Sequence, residues 1–266
     1  MDKEYKSTLK AIIAIPVVVV VIFVALFAYS GIWPPLVVVD SESMQHGEES
    51  SIGTIDTGDI VIIKKTDSFN DITTYVEGLS TEYKTYSGYG DVMIYNSEYL
   101  DKSIIHRAII KLEYDKSTNT FSAPSLKDID IDLWEADGGH SYSGLKNEII
   151  IKNVSYINSG EIIINLKNIL FDMGSDPHGG IVTMGDGNNR IDQNSGISDL
   201  VEEKDINGKA RGEIPWFGIV NLLANGHDLS DIPQNSKIDF VIALVLIIGV
   251  PIGLSEIIDY RKKKFR

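Results

Sequence analysis

The chain has two apolar ends and a mixed middle. Residues Ala11 to Ile32 read AIIAIPVVVVVIFVALFAYSGI, 22 residues without a charge. A helix rises 1.5 Å per residue, so this run reaches about 33 Å, enough to cross the hydrocarbon core of a bilayer. The apolar part of a cleavable signal peptide is typically about 7–15 residues, so the run predicts an uncleaved anchor. A second run, FVIALVLIIGVPIGL, spans Phe240 to Leu254 and extends over 238–258 if the flanking Asp239 and Glu256 are admitted. It predicts a second span, with an amphipathic or partner-facing helix as the alternative. WPP, Trp33 to Pro35, should end the first helix, with the tryptophan at the membrane interface.

The middle alternates short β-rich runs with turn signals. The runs are LVVVDS, DIVIIKK, DVMIYN, SIIHRAIIKLEY, EIIIKNVSYI, EIIINLKNILF, GIVTMGD and WFGIVNLL; the turns include TGD, YGD, NSG and GDGNN. No 3.6-residue period is sustained, so 34–237 predicts a mainly β, antiparallel domain. Ser117 to Gly144 and Gln193 to Glu213 are polar and acidic and read as loops. DIDID, within the first, lacks the glycine and the later glutamate of a calcium loop and reads as a solvated strand or loop.

Charge adds an orientation. Lys3, Lys6 and Lys10 precede the first apolar run, and Arg261, Lys262, Lys263, Lys264 and Arg266 follow the second. Basic flanks stay in the cytoplasm, which puts 1–10 and 259–266 inside and 34–237 outside. That middle segment holds 33 of the 38 acidic and 16 of the 24 basic residues, a formal −17 against −14 for the whole chain. Such a balance argues against a nucleic-acid partner, which requires clustered lysine and arginine. The chain has no cysteine, so disulfides, thiolate catalysis and zinc–thiolate sites are excluded. Asn153-Val154-Ser155 is a glycosylation sequon, and GDGNN lacks the Lys-Ser/Thr of a phosphate loop.

Candidate chemistry begins at SESM, just after LVVVD. In an extended strand Ser41 and Ser43 would share a face, as a nucleophile and an oxyanion donor could. The bland reading is a polar turn at a strand end. A serine nucleophile needs a base. Of the histidines at 46, 106, 140, 178 and 227, only His106 sits inside a strong β run, where the scaffold can hold it. A base of this kind needs a carboxylate to fix its tautomer, and GIVTMGDGNNRID offers Asp186 and Asp192. An Asp-Gly turn is the structural alternative for Asp186.

Taken in order, four boxes resemble the type I signal peptidases, in particular their archaeal and endoplasmic-reticulum branch. They are SESM (Ser41 to Met44), TGDIVII (Gly58, Asp59), IIHRAI (His106, Arg107) and TMGDGNNRID (Gly185, Asp186, Asn188, Asp192), all after a first apolar run. The bacterial branch carries lysine where His106 stands. PWFGIVNLL resembles the family's closing strand. The chain departs from the pattern at His46, usually proline, at Gly187, usually asparagine, and at Met184, often lysine. Eighty residues separate His106 from Asp186, so an insertion of about 113–180 is expected.

The resemblance implies that Ser43 is the nucleophile and His106 the base. Asp192 is the first choice to orient His106, with Asp186 second or supporting. The Ser43 amide and the Ser41 hydroxyl would form the oxyanion hole, Met44 would line the substrate cleft, and Gly58, Asp59 and Gly185 would shape turns. No metal or organic cofactor is implied. Substrates would be signal-peptide-bearing preproteins, cut just outside the membrane at an A-x-A-like site, with lipid around the enzyme and a translocase nearby. Two other readings stay open: a membrane-anchored β domain for binding or assembly without catalysis, and a related tethered serine protease with another substrate.

Overall fold

The β-branched runs of the middle segment become strands, and the long apolar runs at the two ends become helices. The computed structural model describes residues 3–157 and 159–264; the outermost residues of the expected cytoplasmic ends, 1–2 and 265–266, lie outside the described residues.

In chain order, α1 (Lys3–Ser30) leads to β1 (Leu36–Val38) and β2 (Ile60–Lys64). Then come α2 (Tyr75–Thr81), the short ribbon β3 (Lys84–Thr85) and β4 (Gly88–Tyr89), β5 (Val92–Ser97) and the long β6 (Lys102–Asp115). β7 (Thr120–Ser122), β8 (Trp134–Ala136), β9 (Ser143–Leu145), β10 (Glu148–Lys152), β11 (Glu161–Asn165) and α3 (Leu166–Asp172) follow. The chain closes with β12 (Gly180–Met184), β13 (Ile206–Ile214), α4 (Ile219–Ala224) and α5 (Gln234–Lys264).

The main sheet runs β1-β2-β13-β5-β6-β7-β9, with β12 also on β6; β11-β10-β8 form a second sheet. All of these ladders are antiparallel. β6 organises the molecule. Its first half, Lys102 to Arg107, pairs with β5, and its stretch from Arg107 to Leu112 pairs with β12 on the opposite side. Residues 102–106 therefore keep one edge without a strand among the described residues. β1 is an outer strand, paired with β2 alone.

The second sheet belongs to the segment between β6 and β12. It packs Ile149, Ile151, Ile162 and Ile164 against Ile110 and Leu112 of β6 in one cluster. Complete burial of each such side chain stabilises by about 1.5–3 kcal/mol, so the core it shares with β6 holds this segment on the main sheet. A separate cluster under β1, β2 and β5 holds Val39, Met44, Ile55, Val61 and Val92.

Several sequence expectations change. α1 starts at Lys3 and stops at Ser30, ahead of WPP, where Gly31 N–H returns to Phe27 O at 2.8 Å. Trp33 then packs on Phe23 and Phe27, with ring centroids 6.2 and 6.3 Å apart. Among the described residues, Gln234–Ser255 of α5 is long and apolar enough to cross a membrane, with mean hydropathy 2.5; the described apolar stretch of α1, Pro16–Ser30, is shorter. Ser117 to Gly144 is not a loop throughout: it contains β7, β8 and the start of β9, because sparse apolar residues such as Phe121 and Trp134 reach the core. Gln193 to Glu213 contains most of β13. DIDID ends in a 3-10 turn capped by Asp130, whose carboxylate accepts from Asp132 N at 3.0 Å. WFGIVNLL, expected as a strand, forms a turn and then α4. Ile219 and Leu222, three apart, bury one helical face with Ile232, while Val220 and Leu223 face out.

Candidate active site

β6 presents His106 and Arg107 in succession, and successive strand residues point to opposite faces. Each meets an aspartate from the loop after β12. His106 Nδ1 donates to the Asp192 carboxylate, at 2.8 and 2.7 Å from its two oxygens. Asp192 is fully buried and also accepts from the Tyr95 hydroxyl at 2.7 Å. Burial pushes its pKa up, but His106, with Thr183 and Tyr95, outweighs burial and holds the carboxyl below the usual range. The Tyr95 hydroxyl in turn accepts from Thr183 at 3.3 Å and Ser198 at 3.4 Å, and burial raises its own pKa. With its Nδ1 proton committed, the neutral ring has a free lone pair on Nε2, as a general base requires.

Asp186 does other work. It takes Arg107 Nε at 2.7 Å and Nη2 at 2.5 Å, a bidentate pair, and His46 Nε2 at 2.8 Å. Arg107 is fully buried, and its remaining donors reach the carbonyls of Thr85, Tyr86 and Tyr89. Burial pushes the Asp186 carboxyl up, and Arg107 and His46 pull it below the ordinary value. Among the described residues Asp186 makes no hydrogen bond to His106; Asp192 is the carboxylate that meets the ring.

Ser41 and Ser43 are brought together differently from the expected strand alternation. β1 ends at Val38; Ser41 is extended, and Glu42–Met44 form a 3-10 turn. The two hydroxyls lie 3.2 Å apart. Ser43 is half-buried, and Met44 beneath it is 1% exposed, in the core under β1, and lines the same cavity as Ser43. The loop after β12 grips this turn: Gly187 N–H donates to Ser43 O at 2.9 Å. Gly185 is pressed between the two halves of the site. A Cβ there would collide with Ser43 O and lie 2.9 Å from His106 Nε2, so only glycine lets them approach. Ser43 and His106 line one cavity of about 340 Å³, whose walls include Val37, Val39 and Ile105. No direct Ser43–His106 hydrogen bond forms among the described residues. Catalytic hydrogen bonds often tighten only when substrate is bound.

Gly58 and Asp59 form the turn before β2. Gly58 has φ +99°, a conformation that favours glycine, and Asp59 accepts from Asp56 N at 2.9 Å and Trp216 N at 2.8 Å. Asn188 borders both the 340 Å³ cavity and a larger one. Three contributors carry little chemical signal in the sequence. His46 was set aside as a loop residue, and Tyr156 from the inserted segment stacks on it at 5.3 Å and 11°. Tyr95 carried no signal beyond its place in a β run. Among the described residues no group of three His, Asp or Glu side chains is arranged to hold a metal ion.

No family model matches the chain, and a search of curated proteins found no match.

Proposed function

We propose that this chain is a membrane-anchored serine endopeptidase of the signal-peptidase type, removing signal peptides from secreted preproteins on the outer face of the membrane. The observation that carries the reading is the Asp192–His106 pair opening on the cavity that Ser43 also lines. Ser43 Oγ attacks the scissile carbonyl while His106 Nε2 takes its proton and later returns it to the leaving amine. Asp192 keeps the proton on Nδ1 and stabilises the imidazolium that forms. The Ser43 amide and the Ser41 hydroxyl receive the developing oxyanion. Water then attacks the acyl-enzyme by the same route in reverse.

The substrate class follows from the cavity's walls. One side is the edge of β1, Val37 and Val38; the other is the free edge of β6, Lys102 to His106. An extended chain can lie between two strand edges and bond to both through its main chain. The valines and isoleucines leave room for small side chains, in keeping with an A-x-A-like cleavage site. The long helix α5 and the apolar stretch of α1 would serve as two spans, with both termini cytoplasmic and the β domain outside. Lipid and a neighbouring translocase would then be the surroundings in which preproteins arrive.

The test is direct. The full chain in detergent is incubated with a preprotein and the product's new N-terminus is sequenced. Cleavage after the signal peptide is expected, with Ser43→Ala inactive but folded. Normal cleavage by Ser43→Ala would remove Ser43 from the chemistry, and no cleavage by the wild type would leave the alternative of a β domain without catalysis.

A further inference from the structure

Ser43 stands where two cavities meet. The 340 Å³ groove lies on its His106 side, and a second cavity of about 780 Å³ opens on the other, with Ser43 and Asn188 common to both. A peptide whose carbonyl sits at Ser43 has an acyl part and a leaving part, and they must depart in opposite directions. The narrower groove, bounded by two strand edges and aliphatic side chains, suits an extended acyl part with small residues. The leaving part then enters the larger cavity.

That cavity is walled by parts outside the strands that carry the catalytic pair. Tyr156 and Ile157 come from the connection between β10 and β11, and Pro233, Gln234 and Lys237 from the entry to α5. The walls are fixed in place. Tyr156 lies flat on His46, edge-on to Tyr75 at 6.0 Å, with the Arg107 guanidinium 5.8 Å from its ring centre. The opposite wall is tied down by Asn235, which bonds the main chain of Ser50 at 2.9 and 2.7 Å, and by Ser236, 2.7 Å from the Ser50 hydroxyl.

Resting on the peptidase reading above, we propose that this cavity is a leaving-side subsite: it receives the first residues of the released chain and discriminates against acidic ones. Glu42 and Glu48 are exposed on its walls, while Lys237, also on the wall, gives its ammonium to Leu229 O at 2.8 Å. Asp186 adds little charge, because Arg107 neutralises it. Cleavage creates a new α-amino cation in this cavity, which the two glutamates favour. An aspartate or glutamate at the first or second position of the released chain meets them as a like charge. In a solvated cavity, screened by salt, that repulsion corresponds to a discrimination of about three- to tenfold.

The experiment uses the full chain in detergent and preproteins that compete in one mixture. One series carries Ala, Lys or Glu at positions +1 and +2 of the released chain; the other carries Ala, Ser or Val at −1. The wild type should process Lys and Ala ahead of Glu by about three- to tenfold in kcat/KM, less at high salt. Glu48→Lys, an exposed substitution, should erase or invert that order and leave the −1 order as it was. An unchanged Lys-to-Glu ratio in Glu48→Lys, or a shift in the −1 series instead, overturns the subsite and leaves the peptidase reading intact. Failure to cleave any preprotein overturns both.

Discussion

His106 and Arg107 are neighbours on one strand, and each meets an aspartate from one short loop, yet the two pairs are built for different ends. Arg107 has its donors used up: Asp186 takes two and main-chain carbonyls take others, and no part of it is exposed. His106 has one nitrogen committed to Asp192 and its other side at a cavity. A saturated ion pair can only hold a shape; a pair with one free lone pair can move a proton. The alternation of a strand suffices to separate scaffold from chemistry within two residues.

The sharpest way to break this comparison is Asp192→Asn. The fold should survive, since asparagine has nearly the same shape. The ring loses its fixed tautomer, and the rate should fall by about 10⁴-fold. Single-turnover cleavage beside circular dichroism measures both. A rate within tenfold of wild type would strip Asp192 of its role.

Asp186→Asn should do the reverse. It leaves Arg107 buried without its counter-charge, which typically costs about 3–5 kcal/mol. For a domain of this size that lowers Tm by about 10 °C. The rate of the folded fraction should fall far less than in Asp192→Asn, through loosening of the turn whose Gly187 holds Ser43 O. Thermal melts and active-site titration separate the two quantities. A normal Tm with a rate lost 10⁴-fold would exchange the roles of the two aspartates.

The readable part of this arrangement was the part written in β periodicity. SIIHRAIIKLEY is dense enough in β-branched residues to fix β6 and with it the place of His106 and Arg107. Nothing in GDGNNRID says which aspartate faces which side, because that depends on the turn geometry at Gly185 and Gly187. The short helices escaped for another reason. α2 has seven residues, too few for a period, although Thr74 and Glu77 form a capping box that the sequence does display. α4 follows a turn in which Trp216 has φ +68°, and its apolar residues read as β until packing on Ile232 selects a helical face. Ser117 to Gly144 reads as loop because its core residues, such as Phe121, Trp134 and Ala136, are spaced by polar turns.

A third carboxylate extends the comparison to a site where acidic groups sit beside one another. Asp56 is buried beside Asp59 and Glu213, and neither its Oδ1 nor Glu213 Oε2 has a partner among the described residues. Burial, with repulsion from Asp59 and Glu213, pushes its pKa from 3.8 to about 7, against a smaller downward pull from the Ser51 N–H. Asp59 and Glu213 are raised as well, chiefly by burial. Asp186 and Asp192 have the opposite shift, so they favour the fold above pH about 4 and lose that contribution only as pH falls through their depressed pKa values. For Asp56 the sign reverses. The folded chain binds this proton more tightly than the unfolded chain, so its stabilisation is complete below pH 3.8 and is lost as pH rises through about 7. Allowing for solvent screening, the loss by pH 8 is on the order of 2 kcal/mol, or about 4–8 °C in Tm. Asp56→Asn keeps a neutral side chain at every pH. Wild type should therefore melt several degrees lower at pH 8 than at pH 5, while the variant falls by less, its remaining slope coming from Asp59 and Glu213, which burial also raises. Parallel curves for the two proteins would mean that Asp56 is ionised in the fold, and that a cation or water reaches its free oxygen as Arg107 reaches Asp186.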